Sequence, residues 1–152
     1  MAVDVNAEKF ELANKWIRLL NKRISILRKL RAKGLRKIVI YGASEFALRL
    51  LEQYENESDV IEIVGIADKR VSSKGAFYKG IPLLSINDIA DLDEEGMCVV
   101  ITAMGYYREI MDELQVKGVS RFISLKELVY DACCQGSQES DACRISSPVM
   151  QN

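Results

Sequence analysis

The sequence predicts an α/β domain in which a mostly parallel sheet of about five strands follows a long N-terminal helix. From residue 36 onward, short apolar segments of strand length alternate with helical patterns. The first segment, residues 38–42, runs through a turn of small residues into a helical pattern that begins at Glu45. A strand, a glycine turn and a helix in this order open a Rossmann-type βαβ unit. We therefore expect a Rossmann-like three-layer domain.

The composition divides the chain into three parts. Residues 1–35 are an amphipathic helical segment, with a single helix predicted over 7–33 that Asn6 begins and Gly34 ends. Residues 36–130 carry all the predicted strands and close on a short helical turn. Residues 131–152 are poor in large apolar side chains, so we expect a disordered tail there.

The N-terminal helix carries an apolar seam with alternating spacings of three and four residues. The seam consists of Phe10, Ala13, Ile17, Leu20, Ile24 and Leu27. Such spacing is typical of helices that pair, although the seam is shorter than a safe coiled-coil assignment needs. The helix either packs on its own sheet or pairs with another chain. We favour pairing, most simply a homodimer through residues 7–33, with the many basic residues of this segment facing solvent.

Several classes of protein are not supported by the sequence. No apolar run approaches the ~20 residues of a membrane-spanning helix, and no basic region precedes an apolar core at the N-terminus. We therefore expect a cytoplasmic protein without a transmembrane segment, and no nucleic-acid partner. The chain has no histidine, and none of its 4 cysteines forms a C-x-x-C pair, so no metal site is predicted.

Candidate binding residues lie where the first two strands end. Gly42, Ala43 and Ser44 form the turn that would present amide groups and a helix N-terminus to a phosphate. The G-x-G-x-x-G pattern is degraded, because Ser44 stands at its second glycine. Asp68 ends the second strand, where an acidic side chain accepts hydrogen bonds from a ribose, and Lys69 could reach a phosphate. Asp68 could also simply cap a turn.

Five short motifs near the predicted strand ends carry a family resemblance; they are residues 41–47, 64–68, 80–83 and 99–103, and Arg108. Over about residues 36–128 the chain resembles the Rossmann-like N-terminal domain of bacterial nucleotide-sugar acyltransferases and related polysaccharide-biosynthesis proteins. The resemblance implies a nucleotide or nucleotide-sugar ligand, with Thr102 and Arg108 added to the binding residues. The acyltransferase half, with its hexapeptide repeats and catalytic histidine, is absent, so that activity does not carry over.

The sequence supports binding better than catalysis. It has no histidine, no Tyr-x-x-x-Lys pair and no G-x-x-x-x-G-K-[ST] loop, and we expect no catalytic residue. We therefore predict a nucleotide- or nucleotide-sugar-binding accessory or regulatory protein of sugar or surface-polysaccharide metabolism. Two alternatives stay open. The chain could be the NAD(P)-binding part of an oxidoreductase that works with a partner, or a non-catalytic interaction module whose Rossmann pocket has degenerated.

Overall fold

The computed structural model describes residues 4–42, 44–69, 75–92 and 95–140. Within these ranges a six-stranded sheet lies between two layers of helices. The strands are β1 (Lys37–Tyr41), β2 (Glu62–Ala67), β3 (Phe77–Tyr78), β4 (Ile81–Leu84), β5 (Met97–Ile101) and β6 (Phe122–Ser124). The helices are α1 (Val5–Asn21), α2 (Ile26–Ala32), α3 (Glu45–Glu55), α4 (Ile86–Leu92), α5 (Tyr107–Val116) and α6 (Leu125–Ser140).

The order of the strands is that of a Rossmann-like domain. It runs β3-β4-β2-β1-β5-β6, and every neighbouring pair is parallel except β3 with β4. The chain builds outward from β1 to β2 and β4, then returns to the other side of β1 with β5. The point between β1 and β5 is therefore a topological switch, which is where open α/β sheets bind ligands. The predicted fold class is confirmed.

One strand more than predicted is present at the edge of the sheet. β3 has 2 residues and pairs with β4 in a hairpin across Lys79 and Gly80. Both turn residues have positive φ, 49° and 83°, as a two-residue type I′ turn requires. A two-residue strand leaves no periodic pattern in the sequence, so β3 was not among the predicted strands.

The sheet separates two apolar cores. Ile38 and Ile40 of β1 point into the core shared with α1, α2, α3 and α6. Val39 and Tyr41, which alternate with them, point into the core shared with α4 and α5. β5 is buried along its whole length, as expected for a parallel strand that is covered on both faces.

The N-terminal segment is two helices instead of the single helix predicted over 7–33. α1 ends in a Schellman motif, in which the Ile24 amide donates to Leu19 O (2.9 Å) and the Arg23 amide donates to Leu20 O (3.0 Å). Arg23 takes the left-handed conformation, with φ of 60°, that glycine more often supplies. Ser25 then caps α2 by accepting a hydrogen bond from the Arg28 amide. At the other end Asp4, and not the predicted Asn6, caps α1.

One side of α1 packs on the domain itself. Leu12, Trp16 and Leu19 are buried, and the indole of Trp16 donates to Gln53 Oε1 of α3 at 3.0 Å. The Trp16 ring also stacks on Phe46, with 6.5 Å between centroids. The side that carries the predicted seam is different, because Phe10, Ile17 and Leu20 remain exposed. The helix thus packs intramolecularly through one side only.

α6 extends beyond the predicted end of the ordered domain. The prediction placed a disordered tail from residue 131, but the helix continues to Ser140. Ala132 is buried, and the thiol of Cys133 donates to Lys15 O of α1 at 3.8 Å. Packing against α1 therefore compensates for the low apolar content of this stretch. The remainder of the predicted tail, residues 141–152, lies outside the described residues.

In the described part of the chain, none of the helices has the length and apolar character needed to cross a bilayer.

Candidate functional site

The carboxyl ends of β1 and β5 are tied together by the protein's own hydrogen bonds. The Thr102 amide donates to Tyr41 O at 2.9 Å. The Thr102 hydroxyl lies 3.1 Å from the same carbonyl oxygen and 2.9 Å from Gly42 O. Thr102 was predicted to contact a ligand, but its side chain is only 1% exposed. This position explains why a small residue with a hydroxyl group follows β5, because the hydroxyl connects the loop after β5 to the loop after β1 by hydrogen bonds.

Gly42 occupies a position that only glycine fits. Its φ is +112°, and a Cβ built on it would lie 2.9 Å from Thr102 Oγ1 and 3.1 Å from the backbone nitrogen of Ala103. Its amide already donates to Ala67 O at 2.8 Å. The predicted tight turn is present, but the Gly42 amide is used within the sheet and is not directed at an anion.

The rest of the turn is only partly described. Ala43, also predicted to bind, lies outside the described residues. Ser44 stands at the N-cap of α3 without making a side-chain cap, and its hydroxyl oxygen is buried without a partner among the described residues. Glu45, in the first turn of α3, is exposed. The helix N-terminus therefore carries a carboxylate that can interact with its dipole.

Beside the switch point a cavity of about 340 Å³ opens between the ends of β1 and β2 and the start of α5. We call it the Asp68 cavity; its lining is Tyr41, Gly42, Asp68, Lys69, Ala103, Tyr106, Glu109 and Ile110. Three of the predicted residues, Gly42, Asp68 and Lys69, thus meet in one cavity. The ammonium of Lys69 lies 2.7 Å from Glu113 Oε1 of α5, and this hydrogen bond and charge raise the pKa of Lys69.

Tyr41 is a member of this cavity that the sequence analysis missed. The residue is 2% exposed, and its hydroxyl oxygen is buried with no hydrogen-bond partner in the described part of the chain. Burial raises the pKa of Tyr41, and the nearby Glu113 carboxylate raises it further. The phenol therefore keeps its proton at ordinary pH, but its buried hydroxyl is not exposed to the cavity. As the last residue of an apolar strand, it resembled a core residue in the sequence.

Arg108 lies apart from the Asp68 cavity. It is exposed on α5 and lines a larger cavity of about 610 Å³ beyond the ends of β5 and β6, which we call the Arg108 cavity. Tyr107, Lys126 and Tyr130 also line it. The Lys126 ammonium is held 2.9 Å from Glu8 Oε2 of α1, which forms another part of the wall. Arg108 and Asp68 thus line two adjoining cavities, which share Ala103 and Glu109.

The topology, the glycine at the end of β1 and the acidic residue at the end of β2 define a Rossmann-like α/β domain with a cavity at its switch point. The chain belongs to the C2185-like, N-terminal family, whose model matches residues 34–122. This match covers β1 to the start of β6 and stops short of α6.

Two solved structures resemble the fold at low sequence identity. RSP, a Rex-family repressor, is 11% identical, with a TM-score of 0.47 over 71% of this chain and 62% of that one. The methyltransferase FkbM from Methylobacillus flagellatus KT is 15% identical, with a TM-score of 0.49 over 85% of this chain and 37% of that one. This chain therefore spans only part of either protein. No curated protein sequence matches it significantly.

Proposed function

We propose that the protein binds a nucleotide or a nucleotide-sugar at the carboxyl edge of its sheet, with the nucleoside in the Asp68 cavity. The observation that carries the proposal is the placement of Asp68 at the end of β2, on the wall of a cavity beside the switch point. In Rossmann-like domains an acidic side chain here accepts hydrogen bonds from ribose hydroxyls. The cavity volume of about 340 Å³ is of the size that small ligands occupy.

The other residues of the Asp68 cavity suit a nucleoside. The ring of Tyr106 is 66% exposed and Ile110 is buried beside it, so the two offer an aromatic and an aliphatic surface to a base. The buried Tyr41 hydroxyl has no protein partner among the described residues, but it would have to become exposed before it could donate to a ligand. Bases stack on apolar surfaces while sugar hydroxyls need polar partners, and the cavity offers both.

The adjoining Arg108 cavity suits the remainder of such a ligand. Arg108 supplies a permanent positive charge for a phosphate. Tyr107 offers an aromatic ring, and Glu127 a carboxylate that also accepts from Ser124, to a polyhydroxylated group such as a sugar. The Tyr130 ring is already in contact with the ammonium groups of Lys15 and Lys126. Because Ala103 and Glu109 line both cavities, a ligand with two halves can extend from one to the other.

The wider role that we propose follows the resemblance seen in the sequence. The protein would act as an accessory or regulatory component of sugar or surface-polysaccharide metabolism and would bind without catalysing a reaction. The linings of the two cavities contain tyrosine, carboxylate and basic side chains but neither histidine nor cysteine. Its assembly would be a homodimer formed through the N-terminal helical segment.

One observation favours an alternative, a non-catalytic interaction module with a degenerate pocket. The switch point itself is closed, because Thr102 is bonded to the turn and a Cβ on Gly42 would meet it. A pyrophosphate that approached the turn as in dinucleotide enzymes would find the Gly42 amide already bonded to Ala67 O. In this alternative the fold is retained as a scaffold and no nucleotide binds.

Isothermal titration of the full chain with UDP, UDP-N-acetylglucosamine and NADH tests the proposal. Binding of UDP-N-acetylglucosamine, with UDP weaker, is the expected result. Binding of NADH alone would instead indicate the NAD(P)-binding part of an oxidoreductase. If none of the three releases or absorbs heat at millimolar concentration, the interaction module is the better description.

A further inference from the structure

α1 presents a second apolar side that its own domain leaves uncovered. Phe10, Ile17 and Leu20 are 75%, 52% and 49% exposed, and Ala13 lies between them at seam spacing. Scattered exposed apolar residues are ordinary, but these three lie along one side of the helix and, with the partly buried Ala13, form a continuous stripe. The stripe belongs to α1 alone, because Ile24 is partly buried and Leu27 fully buried against the domain.

A groove lies between α1 and α3, and Ala13, Ile17 and Leu20 of the stripe form its wall on the α1 side. Its volume is about 410 Å³, with Ala13, Trp16 and Phe46 among its apolar lining. Arg49, Glu52 and Glu57 are among its polar residues. The same surface therefore carries both projecting apolar side chains and an apolar depression next to them. Such a surface is self-complementary, as a two-fold symmetric interface must be.

We propose that this surface, formed by α1 and α3, is where two copies of the chain associate. The inference rests on the homodimer proposed above and specifies its interface. A two-fold axis would seat the stripe of each copy in the groove of the other. The stripe from Phe10 to Leu20 spans only about 15 Å of helix, too short for a coiled coil, so α3 must contribute area.

The size of the surface indicates the strength of the association. α1 has 17 residues, which at 1.5 Å per residue gives about 25 Å of length, and two packed helices are roughly 20 Å wide. The face is thus roughly 500 Å² per copy, near the lower limit for a specific interface. We therefore expect a dimer that forms and dissociates in the micromolar concentration range.

Charges on the two borders of the stripe favour a parallel arrangement. α3 forms one border and carries Glu52, which is ion-paired with Arg49 of the same helix at 2.9 Å, whereas the exposed Arg18 lies on the other side of α1. A two-fold axis parallel to the helices brings Arg18 of each copy toward Glu52 of its partner. An antiparallel pair would bring the two α3 borders together instead.

Sedimentation equilibrium of the full chain at several concentrations tests the interface. Ile17→Glu should weaken association and raise the dissociation constant at least tenfold. The matched control is Val116→Glu, which alters a side chain on α5 that is 85% exposed and distant in sequence from α1. A monomeric wild type at hundreds of micromolar, or equal association of wild type and Ile17→Glu, would overturn the proposal.

A charge-reversal pair tests the arrangement. Arg18→Glu and Glu52→Lys should each weaken association a few-fold, and the double variant should restore it. Failure of the double variant to restore association would overturn the parallel arrangement. Circular dichroism must report native folding of every variant, and titration with UDP-N-acetylglucosamine should give the wild-type result. Loss of association with ligand binding retained separates this interface from the proposed binding function.

Discussion

The turn after β1 and the Asp68 cavity lie side by side at the edge of the sheet, yet they use their polar groups differently. In the turn, the Gly42 amide, the Gly42 carbonyl oxygen and the Thr102 hydroxyl are bonded to one another or to β2. In the cavity, the Tyr41 hydroxyl has no partner among the described residues. The comparison teaches that a Rossmann-like edge can be closed by hydrogen bonds at the glycine turn and still have a cavity next to that turn.

The largest effect should come from adding a methyl group to the closed turn. Gly42→Ala forces a residue with a side chain to φ of +112° and brings Cβ within 3.1 Å of backbone at Ala103. Strain and overpacking together should lower the free energy of unfolding by about 2–5 kcal/mol. Urea denaturation measures this.

Gly118→Ala is the matched control for the turn. Gly118 has a φ of +89°, but a Cβ added to it would have no other atom within 4 Å. Only the conformational strain applies there, so a loss of about 1–2 kcal/mol is expected. Equal losses at the two glycines would contradict the view that the turn is closed by contact with the loop after β5.

The next largest effect is expected for a substitution in the Asp68 cavity. Asp68→Asn keeps the shape of the side chain but removes its charge, and so weakens hydrogen bonds donated by ribose hydroxyls. We expect ligand affinity to fall about 10- to 100-fold, since hydrogen bonds to charged groups contribute about 1.5–3 kcal/mol. Isothermal titration measures the change. Asp112→Asn, on the exposed surface of α5, should leave affinity unaltered; equal effects of the two variants would place the ligand elsewhere.

Thr102→Val should have a smaller effect on stability than Gly42→Ala. Valine has nearly the same shape but cannot donate to Gly42 O, which lies 2.9 Å from the threonine hydroxyl. Loss of this buried hydrogen bond should lower the free energy of unfolding by about 1–2 kcal/mol. If the variant is as stable as the wild type in urea denaturation, the hydroxyl does not stabilise the contact between the loops after β1 and β5.

The smallest effect is expected at Tyr41. Because its hydroxyl is buried without a partner among the described residues, Tyr41→Phe should leave stability unchanged or raise it by up to about 1 kcal/mol. A loss larger than about 1 kcal/mol in urea denaturation would show that the hydroxyl is bonded after all. The contrast with the turn would then disappear.

The pH dependence of Tyr41→Phe provides a second measurement. Burial raises the pKa of Tyr41 above its ordinary value of 10.0, so the folded state holds the phenolic proton more tightly than the unfolded state. Its contribution to stability is present below pH 10 and is lost as the pH rises through the raised pKa. Denaturation profiles above pH 10 should therefore fall less steeply for the phenylalanine variant than for the wild type.

Much of the fold was predictable because its signals are local. Buried parallel strands read as continuous apolar runs, as β5 does. Gly34, with φ of +89°, ends α2 as its position after the last apolar residue indicated. Ser85 and Asp88, three residues apart, form a capping box, with the Asp88 carboxylate accepting from the Ser85 amide at 3.0 Å.

The remaining features depend on contacts between distant parts of the chain. The break after α1 uses Arg23 where a glycine would have been recognised, and the extension of α6 depends on packing against α1. The turn could be recognised from Gly42 in the sequence. The hydrogen bond by which Thr102 closes this turn could not, because Thr102 is 60 residues away in sequence. For the same reason Tyr41 gave no sign of lying in a cavity.

The hairpin at one end of the sheet has a consequence for how the protein meets its neighbours. Outermost strands present unpaired backbone groups that can template strand addition by another chain. Here the two outermost strands, β3 and β6, have only 2 and 3 residues, and an exposed lysine, Lys79, stands in the turn that follows β3. Edge-to-edge growth of the sheet into a ribbon is therefore disfavoured at both ends, which protects the protein against fibrillar aggregation.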